Sequence, residues 1–501
     1  MPRSNSQAKT SPRIQIFLLF FVFTFGALTA FGAQVPDGFT VTQVATGMTS
    51  VTRMALLPDG RILVLEQGGK VRIIENGVLR STPYLTVDAD SFSEHGLLGI
   101  ALDPAFSTNN FFYVYYTAKT PNIHNRVSRF TAGPTIADPA SEAPLFDMDE
   151  STGPLGWHQG GNIGFGPDGK LYVAVGDDRN GDNSQSFTTL FGKILRINSD
   201  GSIPSDNPFF QTASGKYRAI WALGLRNPYS FAFSNLNQSM FINDVGEDTW
   251  EEINRGISGG NYGWPETEGF TSDPRFQSPI VAYAHGSNSD SLGCAITAGA
   301  FYEPGSAQFP AQYTGSYFYA DFCEGWIRSL QINNLSSQVF AHFTNFPVDL
   351  KVAKDGTLYY LERGQDTNTG GAVFKINFTS QQSPVITQQP ANAIVAAGQP
   401  VSFSVQASGA APLSYRWQRN GVNLDGPGTD TPTLTITPQL TDNGALYACV
   451  VSNQFGSVTS NAAQLTVVKG SAPVASITLP VAGTVYHGGD VIQYAGTGTD
   501  A

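Results

Sequence analysis

The chain has 501 residues, room for two to four domains at ~100–200 residues each, and its formal net charge is −12. That sign is wrong for gripping nucleic acid phosphates or anionic lipid, and three cysteines are too few for a disulfide-dense scaffold. With 14% charged residues beside 53 Gly, 30 Pro and 12% aromatics, the composition excludes coiled coil and predicts an all-β extracellular protein.

Residues 1–33 read as an export signal. Arg3, Lys9 and Arg13 supply the positive flank, residues 14–30 are almost continuously apolar, and cleavage is expected between Ala30 and Ala33. The apolar run is 17 residues, short of the ~20 that span a bilayer, which favours a cleaved signal over an anchor. Its removal takes three of the 28 basic residues and no acid, leaving −15. No later segment is apolar enough to cross a membrane.

From residue 37 to 378 a loose repeat recurs: a Pro-Asp-Gly type turn, an alternating strand, a second turn and another strand. The clear copies are LPDGRILVLEQGGKVRII from Leu57, GPDGKLYVAVGD from Gly166 and AKDGTLYYLERG from Ala353, with degenerate copies between them. Six such units stacked radially make a six-bladed β-propeller, whose first strand, near Phe39 to Val44, is expected to complete the last blade. Residues 379–383 are a polar linker. Residues 384–468 follow as short strands, with Trp417 placed as the buried tryptophan of an immunoglobulin-like β-sandwich and Tyr447 two residues before Cys449, where a tyrosine corner belongs. Residues 472–501 look like the opening of a further, incomplete sandwich module.

Cys294 and Cys323 are expected to pair, because the export signal implies an oxidising compartment and Cys449 lies in another domain. Opposite Cys449 the sequence offers Phe403 and Val405 instead of a partner, so that thiol is expected to be buried and free.

Three polar loops between propeller strands stand out. GWHQGGNIGFGPDG holds His158; GLRNP holds Arg226 and Asn227; NDVGEDTWEEINRGISGGNYGWPETEG holds Glu247, Asp248, Glu251, Glu252 and Tyr262. Loops at one end of a propeller axis converge on a funnel. By residue type His158 suits a general base and Arg226 an oxyanion partner, or both tie blades together as scaffold. The acidic, glycine-rich loop offers the oxygen ligands calcium prefers, or is simply a solvated face.

HGLLGIALDPAF from His95, WHQGGNIGFGPDGKLYVAVGD from Trp157, GKILRI from Gly192, LGLRNP from Leu223, WEEIN from Trp250 and GGNYGWP from Gly259 occur in one order. In this the chain resembles the soluble pyrroloquinoline quinone (PQQ) dependent glucose/sorbosone dehydrogenases. The resemblance implies His158 as the base that takes the sugar hydroxyl proton, Glu251 as the acid that orients it, and Arg226 and Asn227 as contacts of PQQ, with Glu94 at a further cofactor position. It implies calcium held by the Gly246 and Glu247 carbonyls, Glu252 and Tyr262. The chain departs from the pattern where Cys323 replaces a lysine, Val348 stands among replaced arginines and Trp157 replaces an acid, so cationic partners for the three cofactor carboxylates are expected to be missing. GCAIT and DFCEG resemble the sorbosone-dehydrogenase-like and hedgehog-interacting-protein-like branches.

Two functions follow as expectations. One is a secreted or periplasmic quinoprotein that oxidises a sugar or related alcohol with PQQ and calcium and passes electrons to an acceptor the sequence does not name. The other is a non-catalytic propeller that binds carbohydrate or protein through its funnel loops.

Overall fold

The computed structural model describes residues 33–153, 155–286, 292–342, 344–364, 370–378, 383–410, 412–453, 455–470 and 474–499. The export segment, apart from Ala33, and linker residues 379–382 lie outside the described residues. In the Asp-Gly turns, Gly169 and Gly356 take φ of +71° and +87°, a region glycine enters without a Cβ penalty. Each turn reverses the chain between antiparallel partners: Ile163–Phe165 with Leu171–Val175, and Pro347–Val352 with Leu358–Glu362.

Six such sheets follow one another. Their innermost strands are Val51–Leu56, Leu97–Leu102, Ile163–Phe165, Pro228–Phe233, Ile296–Phe301 and Pro347–Val352, and we number the blades 1 to 6 in that order. Each has four strands in meander order, and blade 1 carries a further short strand, Leu85–Thr86. Blade 6 takes its outer strand, Phe39–Met48, from the start of the described chain, as expected.

Successive blades are held apart by apolar layers. Leu65, Phe112 and Val114 belong to the layer between blades 1 and 2, Tyr115, Val173 and Leu195 to the next, and Met48, Val51, Val348 and Leu361 to the one that joins blade 6 back to blade 1. Burial at ~25 cal/mol per Å2 of apolar surface is what stacks sheets that could not each cover two faces alone. Around the axis, side chains tie inner strands to neighbouring backbone. Thr52 Oγ1 donates to Leu97 O at 2.7 Å, Asn162 Nδ2 to Phe231 O at 2.9 Å and Thr297 Oγ1 to Pro347 O at 2.5 Å.

Glu362, at the end of a blade 6 strand, is buried, and desolvation pushes its carboxyl up to about 7 against one backbone hydrogen bond from Asn345. A folded value above the unfolded one, ordinarily 4.5, means its stabilising contribution is complete below about pH 4.5 and lost as pH rises through about 7. Glu362→Gln is therefore expected to flatten the fall in thermal midpoint between pH 5 and 8, read by calorimetry.

A second set of strands packs around Trp417, which is fully buried, donates Nε1–H to Thr431 O at 2.9 Å and pairs across strands with Cys449. Phe403 stacks on Tyr447 at 4.8 Å, filling the side where a disulfide partner would sit. Cys449 is buried and free, and burial raises its thiol pKa. No labelling by a maleimide is expected until the protein is denatured, which a mass shift would report. Strands Val474–Leu479 and Ala495–Thr499 form a final hairpin. Among the described residues no helix is long and apolar enough to cross a membrane.

Candidate active site

A cavity of about 250 Å3 lies on the propeller axis, and each blade or its leading loop contributes to it: Arg53, Glu94, Gly160, Asn227, Thr297 and Arg363. Arg53 closes its floor. The guanidinium is 1% exposed, donates to Val348 O of blade 6 and Tyr229 O of blade 4, and lies 4.4 Å from the Tyr229 ring centroid. From Met54 onward the same strand lines a separate, wider opening.

His158 precedes the first strand of blade 3, next to the cavity-lining pair Gln159 and Gly160. Its amide donates to Glu94 Oε2 at 2.8 Å, which anchors the loop to blade 2. The loop packs so closely on the next strand's end that a Cβ at Gly176 would fall 1.9 Å from His158 O, so only glycine fits there. The ring's Nδ1 lies 2.6 Å from Asp177 Oδ1. Asp177 is 1% exposed and its other oxygen accepts from Trp264 Nε1 at 2.9 Å. A carboxylate so fixed accepts from Nδ1–H, which leaves the Nε2 lone pair free to take a proton.

The carboxylate against the His158 ring is thus Asp177, and the expectation that Glu251 would stand there is corrected. Glu251 sits on the third strand of blade 4, away from the axis, where Oε1 contacts His285 Nε2 at 2.5 Å and Oε2 accepts from Ile296 N at 2.9 Å. Burial raises the Glu251 pKa, while the hydrogen bond to Glu251 raises that of His285. Trp157, which replaces an acid of the family pattern, is 40% exposed beneath the Arg179 guanidinium.

Asp244, at the end of a blade 4 strand, shapes the RNP turn: its carboxylate accepts from Arg226 N at 3.0 Å and Asn227 N at 2.7 Å. Asn227 reaches the cavity and its Oδ1 accepts from Gly160 N at 3.0 Å, joining this turn to the histidine loop. Arg226 turns aside. Its Nη1 donates to Gly246 O at 2.5 Å and Val245 O at 3.2 Å, and its buried Nε has no partner among the described residues.

Gly246, Glu252 and Tyr262 meet Asp244 and Glu268 around a second, much smaller cavity beside Arg226. Glu247 is exposed, and its amide donates to Glu268 Oε1 at 2.7 Å. The Tyr262 hydroxyl is committed to Arg255 O at 2.6 Å, which leaves its main-chain carbonyl as the oxygen it can offer. Desolvation, with Glu252 nearby, pushes Asp244 far above the carboxylate range; desolvation likewise takes Glu252 to about 7. Carboxyls crowded into one desolvated spot favour either protons or a cation, and the oxygens here are of the type calcium takes, with the Gly246 carbonyl already accepting from Arg226. Asp244 and Glu268 were not singled out from the sequence, nor were Asp177, Arg53 and Arg363. Val348 offers no charge, its carbonyl accepts from Arg53, and both Arg53 and Arg363 line the axial cavity.

Residues 48–372 match the family described as glucose / sorbosone dehydrogenase, and residues 383–453 match an immunoglobulin domain. The HIPL2 protein of Arabidopsis thaliana is 29% identical over 412 residues, covering 65% of this chain and 58% of that protein. Quinoprotein glucose dehydrogenase B of Acinetobacter calcoaceticus is 32% identical over 248 residues, 43% of this chain and 50% of that protein. The matches thus span 50% to 58% of these two relatives' own length. The PQQ-bound aldose sugar dehydrogenase of Streptomyces coelicolor superposes with a TM-score of 0.57 at 26% identity, over 69% of this chain and 99% of that one.

Proposed function

The chain belongs to the glucose/sorbosone dehydrogenase family, and from that premise we propose that it is an exported quinoprotein that oxidises a sugar or related alcohol with PQQ and calcium. The observation that carries this reading is the His158–Asp177 pair at 2.6 Å beside a cavity with unpaired guanidinium groups. In this reading His158 Nε2 accepts the substrate hydroxyl proton, and Asp177 holds the ring in the needed tautomer and stabilises the imidazolium that forms. Asn227 positions the histidine loop through Gly160 and offers its amide to the cavity. Arg226 places positive charge at the Val245 and Gly246 carbonyls. The orphaned Nε groups of Arg53 and Arg226 support the fit of an anionic, oxygen-rich cofactor. When bound, PQQ supplies the hydride acceptor that no side chain provides.

Calcium in this reading would be held by oxygens of Gly246, Glu252 and Tyr262 around the small cavity and by the carbonyl of the next residue, Glu247, with Asp244 and Glu268 adding negative charge. Residues 37–378 form the catalytic unit, and the modules after them act as spacers or attachment units. The Cys294–Cys323 bridge supports a secreted or periplasmic address. The test is reconstitution of apoprotein with PQQ and calcium, assayed on a panel of aldoses and alcohols with an artificial dye acceptor. Turnover of one substrate class that requires both additions is expected. Inactivity across the panel, with the fold intact, would return the reading to a binding propeller.

A further inference from the structure

Two buried or half-buried guanidinium groups share the axial cavity, and among the described residues their hydrogen-bond partners are carbonyl and amide oxygens, not carboxylates. Arg363 follows the blade 6 strand Leu358–Glu362, donates Nη1–H to Val51 O at 3.1 Å and Nη2–H to the amide oxygen of Gln67. Arg53 lies in the floor, bound only to carbonyls, its Nε without a partner. Carbonyls and an amide orient a guanidinium but do not neutralise it. Leaving two such charges beside one cavity in a chain of net charge −12, which has acids to spare, gives that wall a fixed positive potential. The side that adjoins His158 has Gly160, Asn227 and a carboxylate, Glu94, whose Oε2 accepts from His158 N.

We propose that Arg363, with Arg53 beneath it, is the carboxylate-binding wall of this cavity. It selects a planar polycarboxylate ligand and turns the ligand's anionic edge toward blades 6 and 1, away from His158. The proposal rests on the quinoprotein reading for the identity of that ligand. Arg363 pairs with a carboxylate directly, as its fork geometry allows, while Arg53, nearly closed off from solvent, acts as a fixed charge under the floor.

The test is binding, read by quenching of tryptophan fluorescence at fixed excess calcium, with three probes: PQQ, its trimethyl ester and benzene-1,2,4-tricarboxylate. The wild-type protein is expected to bind PQQ at least ~10-fold more tightly than the ester. Arg363→Gln should weaken PQQ by ~10- to 100-fold, leave the ester within about twofold, and be partly rescued by Arg363→Lys. Equal PQQ affinity in wild type and Arg363→Gln overturns the proposal. So does an equal loss for acid and ester, which would mean that Arg363 shapes the cavity without reading charge. If wild type binds the tricarboxylate but not PQQ, and Arg363→Gln abolishes that binding, the cationic wall stands while the quinone reading falls. Binding of none of the three probes ends both.

Discussion

Replacing His158 with alanine is expected to lower dye-linked oxidation by ~10²–10⁴-fold, the range a positioned general base supplies, while the thermal midpoint and PQQ affinity stay close to wild type. The residue is 8% exposed, sits in a loop next to the cavity-lining Gln159 and Gly160 and belongs to none of the apolar layers between blades, so its loss removes a base without opening a void in a blade layer. Asp177→Asn separates the base from its orientation. An asparagine amide at that position donates to Nδ1, which forces the proton onto Nε2, the atom meant to accept. The variant should lose activity by a comparable factor, and the acid limb of its pH–rate profile should move, which a merely structural role of Asp177 would not produce. If His158→Ala retains more than about a tenth of wild-type turnover, the base lies elsewhere and the reading fails.

Legibility in the sequence followed the distance between interacting residues. The propeller was readable because each Asp-Gly turn and its flanking strands are local, and the closing strand Phe39–Met48 was expected from the count of repeats. Within the site, His158, Asn227 and the acidic loop announce themselves as polar segments between strands. Asp177 was recoverable: the hairpin register pairs Ile163 with Val173, so extending it backward by five residues sets His158 opposite the Gly-Asp-Asp that ends the next strand. Glu251 is assigned by resemblance, and only the fold reveals that its carboxylate is already engaged by His285 and by Ile296 N. Arg53 and Arg363 carry no local signal. One lies in the first blade and the other in the last, and they share a cavity only because the ring closes. A search for cations at the family's usual positions meets Cys323 and Val348 and misses charge delivered from other strands.

The pair Cys294 and Cys323 illustrates the same closure at shorter range and sets the second large expectation. Replacing both with serine should lower unfolding free energy by about 3.5 kcal/mol on the chain-entropy account of a bridge across 29 residues. The native geometry should survive, because Asp321 already holds both ends. Its Oδ2 accepts from Cys294 N at 3.0 Å and Ala295 N at 3.1 Å, and its Oδ1 from Cys323 N at 2.9 Å and Glu324 N at 2.9 Å. The bridge therefore acts chiefly on the unfolded chain, and its removal should shift the urea midpoint without changing cofactor affinity much, although Ala295 and Phe322 line the cavity. Asp321→Asn should do the opposite. It keeps the cross-link but weakens the four amide contacts that shape this stretch of wall, so cofactor affinity should fall more than the midpoint. The comparison is read from urea unfolding and PQQ titration on the two variants. A double serine variant with an unchanged midpoint would show that the carboxylate, and not the bridge, is what fastens the loop entering blade 5 to the turn after that blade's second strand.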